Sequence, residues 1–269
     1  MITATCQRWR ARRDSYRPAG ETIRTADYEV AAIPGDLEAK AFVVEHHYSA
    51  SYPAARERVG LYRHGVLVGV AVFSMPVRGS VLDHLPCPRE AAVELGRLVL
   101  LDDVPANGET WMLARAFDLL RRRGYEGVIS HADPVPRTNA AGARVFPGHI
   151  GVIYQASNAV YAGLATARTL RLLPDGSVFS ERSISKIRAR ERGWRYSVEQ
   201  LVAAGAPEPG ADLRAWLPVA LASATRRLKH GGNHRYLIGL TKGVKRRLPA
   251  SQPYPKLDAG RFRAHLGDP

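Results

Sequence analysis

The chain has 269 residues, 45% of them hydrophobic, and a formal net charge of +14, so it is long and apolar enough to bury a core as one large domain or a domain with an appendage. Its longest unbroken apolar run, Val66 to Phe73, is eight residues, far short of the roughly 20 that a membrane-spanning helix needs. Cys6 and Cys87 are the only cysteines, and MITATCQRWRARRDSYR at the N-terminus has arginines without an apolar block; a disulfide framework, a cysteine metal motif and a secretory signal are all unexpected, which favours the cytoplasm.

In chain order, 28-YEVAAIP-34 reads as a short strand. The next segment, 35-GDLEAKAFVVEHHYS-49, reads as a helix, with Leu37, Ala41, Val44 and Tyr48 at helical spacing and His46 and His47 near its C-terminal end. Residues 58-RVGLYRHGVLVGVAVFSMP-76 form two strands around 64-HG-65, a pair suited to a tight hairpin. The strand 92-AVELGRLVLLD-102 is apolar apart from Glu94 and Arg97, as expected of a strand covered on both faces. A loop containing Asn107 and Gly108 leads into the helix 109-ETWMLARAFDLLRRRG-124, which Gly124 stops. Then follow the strand 127-GVISHA-132, a helix after Gly151, and strands at 167–173 and 177–183 joined by the turn 174-PDG-176. Further on, 212-DLRAWLPVALASATRRLKH-230 reads as helical and 249-PASQPYPKLD-258 as extended. This order predicts a mixed α/β layer in which helices cover a central sheet.

The charge is unevenly placed. Residues 1–27 hold six Lys plus Arg against three Asp plus Glu, residues 28–181 hold 15 against 16, and residues 182–269 hold 18 against six. The organisation expected is a basic arm at 1–27, a catalytic domain at 28–188 and a basic extension at 189–269. A strongly basic region on a near-neutral body is the footprint of a protein that meets a polyanion, nucleic acid first of all; the plain alternative is a solvated face. Arg226, Arg227, Lys242, Lys245, Arg246 and Arg247 are the candidate phosphate contacts. With no amphipathic helix suited to anchoring, a membrane partner is not expected.

The motifs 46-HHYS-49, 95-LGRLVL-100, 131-HADP-134, 148-GHIGVIYQASN-158, 234-HRYLIGL-240 and 252-QPYPK-256, in this order, resemble the Mom family of phage DNA-modification proteins. That resemblance implies a GNAT-like acyltransferase scaffold and conversion of adenine in DNA to a carbamoylmethylated form that protects phage DNA from host restriction. It also implies a phage-infected or prophage-bearing bacterial cell. Residues 135–147 separate ADP from GH and are expected as a substrate-facing loop particular to this chain.

Within these segments Asp133, at the carboxyl end of a strand, is the candidate general base, because the exocyclic amine of adenine is a poor nucleophile and must lose a proton. His47, Tyr48 and Tyr154 are candidates for relay or orientation, and Arg97 for holding an anionic group. Each also has a structural reading: a turn residue for Asp133, a helix-end cation for His47, an ion-pair partner of Glu94 for Arg97, a core residue for Tyr154. Gly148 and Gly151 would let backbone approach a ligand closely, and Gly108 and Thr110 would stand at a donor loop. That loop, 103-DVPANGETW-111, lacks the glycines and basic residue of an acetyl-CoA cradle, so acetyl-CoA or another small acyl or glycyl donor stays open. The resemblance brings in iron, for which His47, Tyr48 and Asp133 are candidate ligands. The other readings are a conventional N-acetyltransferase acting on a small amine or a protein, and a non-catalytic nucleic-acid-binding protein.

Overall fold

A computed structural model describes residues 5–256; Leu257 and Asp258 of the expected extended tail lie outside them. The strands are β1 (Thr5–Arg10), β2 (Arg13–Pro18), β3 (Tyr28–Ala32), β4 (Ala55–Arg63), β5 (Val66–Ser74), β6 (Ala92–Leu100), β7 (Gly127–Ala132), β8 (Arg137–Thr138), β9 (Arg144–Phe146), β10 (Val160–Leu164), β11 (Arg168–Leu172), β12 (Val178–Phe179), β13 (Arg226–His230) and β14 (His234–Gly239). The helices are α1 (Leu37–His46), α2 (Gly108–Arg122), α3 (Val152–Ala156), α4 (Glu181–Ala189), α5 (Trp194–Ala203), α6 (Leu213–Ala224) and α7 (Lys242–Arg247).

The chain divides into two compact units, one made of residues 1–134, 149–164 and 233–269, the other of 135–148 and 165–232. The division runs through different residues from the boundaries expected at 27 and 188. The reason lies in strand pairing. The first unit is built on a seven-stranded sheet ordered β10-β14-β7-β6-β5-β4-β3, so β14, from the region read as an extension, is an interior strand. It pairs antiparallel with β7 from His234↔Ala132 to Gly239↔Gly127, and its Tyr236 and Leu237 are buried. Residues 1–27 likewise include a hairpin, β1 paired with β2, in place of a bare arm.

The mixed α/β class is as the sequence predicts. β4 and β5 meet at His64 and Gly65, both at positive φ (49° and 81°), the backbone a tight right-twisted hairpin requires. α1 turns the opposite way from its expected stripe: Ala39, Phe42 and Val43 are buried, whereas Leu37 is 87% exposed. A spacing of four fits more than one face of a ten-residue helix, and burial against the sheet chooses among them. α2 buries Met112, Leu113, Ala116 and Leu120 and ends before Gly124 at φ 88°.

The second unit has its own apolar core of Leu173, Phe179, Ile184, Ile187, Val198, Leu201, Trp216, Leu217 and neighbours. It contains the antiparallel sheet β12-β11-β13, the short pair β8-β9, and α4, α5 and α6. Two expectations change here. The strand predicted at 177–183 is cut to two residues, because the Ser180 hydroxyl accepts a hydrogen bond from the Ser183 amide and starts α4. The helix predicted over 212–230 stops at Ala224, and Arg226–His230 becomes β13, paired with β11.

Candidate functional site

β6 and β7 are the one parallel pair of the large sheet. Their pairing runs from Ala92↔Gly127 to Leu95↔Ser130 and then stops, although β6 continues to Leu100 beside β5 and β7 to Ala132 beside β14. The strands therefore part at their carboxyl ends, the place where open α/β sheets expose ligand-binding groups. The Ser130 hydroxyl donates across the last pair to the Leu95 carbonyl at 3.1 Å.

Arg97 stands two residues past the parting. Its Nε donates to the Ser51 carbonyl at 2.9 Å, Nη2 to Ser51 Oγ at 2.7 Å and Nη1 to the Gly96 carbonyl at 2.5 Å. Glu94, the expected partner, instead lies 3.0 Å from His131 Nδ1. Among the described residues no carboxylate forms an ion pair with Arg97. Burial works against its charge and the nearby Glu94 carboxylate favours it; a guanidinium does not deprotonate in a protein, so the site keeps a cation with no carboxylate in contact.

The chain leaves α1 at His47 and crosses above Arg97. His47 is buried, 5% exposed. Burial first, then the charges of Arg97 and His149, hold its imidazole well below the usual histidine range. Its Nδ1 accepts from the Ser49 amide at 3.1 Å and lies 2.9 Å from Ser49 Oγ, which places the proton of the neutral ring on Nε2. Tyr48 stacks between rings, with centroids 4.9 Å from Trp9, 4.1 Å from His47 and 6.3 Å from His149.

Tyr154 lies on α3 and is buried. Burial pushes its phenol far above the ordinary tyrosine range, against a hydrogen bond with Ser130 that works the other way. Its ring packs 5.2 Å from Tyr236, and Tyr236 packs 5.3 Å from Tyr161. The Tyr236 hydroxyl donates to the Ile150 carbonyl and accepts from Gln155 Nε2. Gly151 has a packing reason: its φ is 76°, and a Cβ there would lie 2.7 Å from both Tyr154 and Tyr236. Gly148 is also at positive φ, 77°, and belongs to the second unit. Asp133 follows β7 directly, is half-buried, and accepts the His149 amide on its carbonyl at 2.7 Å.

The structure thus brings Tyr48, Arg97, Tyr154, His47 and His149 to one region of the first unit. Ser130, Ser51 and Trp9 belong to the same region and were not read from the sequence. A serine inside the apolar strand 127-GVISHA-132 was the available signal for Ser130; the stacking of Trp9 is long-range and left none.

The donor loop has a different occupant from the one a coenzyme would require. Arg8, fully buried, donates from Nε to the Val104 carbonyl (3.3 Å), from Nη2 to those of Pro105 (2.8 Å) and Ala106 (3.0 Å), and from Nη1 to Gln7 (3.1 Å), and it pairs with Glu109 at 2.9 Å. The loop turns carbonyls toward a cation, and Glu109 puts a carboxylate in the first turn of α2. That arrangement uses up the buried cation at the loop and leaves it no positive charge for a pyrophosphate, so these residues do not fit acetyl-CoA. Gly108 is required by Val104, whose Cγ1 would lie 2.5 Å from a Cβ, and the Thr110 hydroxyl donates to the Asn107 carbonyl at 2.9 Å. For iron, no three His, Cys, Asp or Glu side chains among the described residues are grouped to hold a metal ion, and His47 Nδ1 is committed to Ser49.

The model of the Mom protein family matches residues 27–256. The chain belongs to the Mom family. No curated protein matches it. Among solved structures, an N-acetyltransferase from Staphylococcus aureus Mu50 aligns at 11% identity over 80% of this chain and 99% of its own, with a TM-score of 0.34. A tandem GNAT protein from the clavulanic acid biosynthesis pathway aligns at 10% identity over 80% and 99%, with a TM-score of 0.41. At those scores they carry no argument about the site of this Mom-family chain. The family match starts beyond the β1–β2 hairpin, so Arg8 and Trp9 stand outside the matched segment. No helix among the described residues is long and apolar enough to cross a membrane.

Proposed function

We propose that this protein is a DNA-modifying transferase that alters the exocyclic amine of adenine in double-stranded DNA, with a carbamoylmethyl-type product. Family membership supports a DNA-modification protein. The observation that carries the reading is Arg97, a cation without a carboxylate partner beside two tyrosines and a neutral histidine at the parting of β6 and β7. Such a site suits transfer of an electrophilic carbon to a weak nitrogen nucleophile.

Within the duplex the N6 amine is paired and out of reach, so the adenine is flipped out of the stack. The amine attacks the methylene carbon of a donor of the class X–CH2–CO–NH2; the N6–CH2 bond forms as the C–X bond breaks, X departs with that bonding pair, and the surplus N6 proton passes to the Asp133 carboxylate. Arg97 stabilises the negative charge that gathers on the donor, through electrostatics that cost no reorganisation. The Tyr154 phenol, kept protonated by burial, gives up its hydrogen bond with Ser130 and turns its proton to the same charge. The neutral His47 offers its Nε2 proton, with Ser49 fixing the ring. No step runs through coenzyme A or a metal.

The test is plasmid DNA prepared from bacteria expressing the protein, challenged with an endonuclease whose recognition site contains adenine. Plasmid from wild-type cells resists cleavage and plasmid from Asp133→Ala or Arg97→Met cells is cut. Complete cleavage in both, with folded protein present, contradicts the reading.

A further inference from the structure

The second unit carries 14 Lys plus Arg against six Asp plus Glu, and residues 181–203, which run from α4 through α5, hold six of those cations against three carboxylates. α4 and α5 are joined by four residues containing Gly193 at φ 85°, the kind of short turn that helix-turn-helix modules use. Ile184 and Ile187 of α4 and Val198 and Leu201 of α5 face the core. That leaves Lys186, Arg188, Arg190, Arg192 and Arg195 on the outer side of the pair, all exposed except the half-buried Lys186.

The unit's own fold engages these cations only in part: Arg190 donates from Nη2 to the Ala211 carbonyl at 3.3 Å, and Arg190 and Arg195 lie over the Trp194 ring, 5.9 and 5.4 Å from its centroid. Arg182 pairs with Glu191, but among the described residues none of the five has a carboxylate partner. Arg188 and Arg190 lie at the C-terminal end of α4, where the helix dipole favours them; Arg192 and Arg195 flank the start of α5, where it opposes them, and the first turn of α5 has no acidic residue. Arg188, Arg190 and Arg214 also line a cavity of about 370 Å³ together with Asp212. Asp212 is occupied in capping α6, accepting from the Arg214 and Ala215 amides at 2.8 and 3.2 Å. Beside the cations, the Tyr196 ring is 66% exposed.

We infer that the α4–α5 face of the second unit, with its arginine-lined cavity, is a docking surface for the phosphates of duplex DNA. Five cations without a carboxylate partner match the closely spaced charges of a duplex backbone, and Tyr196 offers apolar area to the sugar edge. The inference extends the proposed function by placing the DNA contact on the second unit. Of the cations named from the sequence, Arg226 is partly consumed by the Thr138 carbonyl at 2.7 Å, and α7 lies in the other unit.

The experiment is fluorescence anisotropy of the full-length protein on a duplex oligonucleotide between 50 and 200 mM NaCl. Each phosphate contact contributes about 0.9 to the slope of log affinity against log salt. Neutralising three contacts in Arg188→Gln/Arg192→Gln/Arg195→Gln should make the slope shallower by about three, so the affinity lost across that range shrinks about 40-fold. The corresponding triple Lys variant should keep the wild-type slope. If the triple Gln variant loses its circular-dichroism signature, Arg192→Gln and Arg195→Gln taken singly should each lower the slope by about one. Wild-type binding with an unchanged slope in these variants overturns this inference and leaves the proposed function standing. No duplex binding by the wild type at 50 mM salt overturns both, and a changed slope on an RNA hairpin alone overturns the assignment to DNA.

Discussion

Removing the Arg8 side chain is the most demanding stability test of the architecture around the site. All five N–H donors of Arg8 are engaged, four by carbonyls of Gln7, Val104, Pro105 and Ala106 and one by the Glu109 carboxylate, and the side chain is wholly buried. Burial raises the pKa of Glu109 and Arg8 opposes that shift, so the loss of Arg8 leaves an enclosed carboxylate without compensation. Breaking a buried pair by deleting one partner costs about 3–5 kcal/mol. For a protein of this size each kcal/mol lowers Tm by about 2–4 °C, so Arg8→Met should melt about 6–20 °C below wild type. Adding Glu109→Gln removes the stranded charge, and the double variant should recover about 1–3 kcal/mol relative to Arg8→Met. Urea and thermal unfolding of the three variants beside wild type measure this cycle. A loss below about 1 kcal/mol for Arg8→Met, or no recovery in the double variant, would refute the reasoning that the hairpin locks the loop before α2.

Arg97→Met should leave the fold intact and lower the modification rate about 10²–10³-fold, the usual cost of one charge-stabilising donor, as read from modified nucleoside accumulated per hour. Tyr154→Phe keeps the ring against Tyr236 and loses the phenol proton, so it should reduce the rate while Tm moves by only about 1 kcal/mol equivalent. Gly151→Ala should be destabilised by about 1–3 kcal/mol, since φ is 76° and the methyl meets two tyrosine rings; chemical denaturation decides. His47 is held neutral, so its folded pKa lies below its unfolded one and the unfolded chain binds the extra proton as pH falls below about 6.5. Stability should therefore fall with acidity in that window, by at most about 1.4 kcal/mol per pH unit for this group, and His47→Gln should flatten the melting curve against pH.

Much of the first unit was legible because its signals are local. The hairpin at His64-Gly65, the apolar β6 and the α2 stop at Gly124 depend on residues close in sequence. Two features depend on distant pairing and left little trace, and a third was a local signal not read. β14 enters the middle of the sheet because its edges match β7 and β10, which are far away in the chain, so a segment that reads as part of a basic extension is core. Arg8 reads as one more cation of an arm, because nothing near it shows that the Val104–Ala106 carbonyls will surround it. The 177–183 segment begins as β12, and the Ser180 cap, a local signal three residues from its partner, turns the rest into the start of α4. At the site, Arg97 and Tyr154 stood out as polar groups in apolar contexts, and Tyr48 through the motif 46-HHYS-49. Gly108 and Thr110 were attractive for chemistry that a glycine needed for packing and an inward-turned hydroxyl do not supply.

The most direct measurement is tandem mass spectrometry of nucleosides digested from plasmid carried in cells expressing the wild type, Asp133→Ala or Arg97→Met. The account predicts a new deoxyadenosine species whose added mass stays with the base and fragments from N6, present with wild type, absent with Asp133→Ala and strongly reduced with Arg97→Met. An unchanged nucleoside profile from cells containing folded wild-type protein, or equal amounts of the new species in all three, would contradict it.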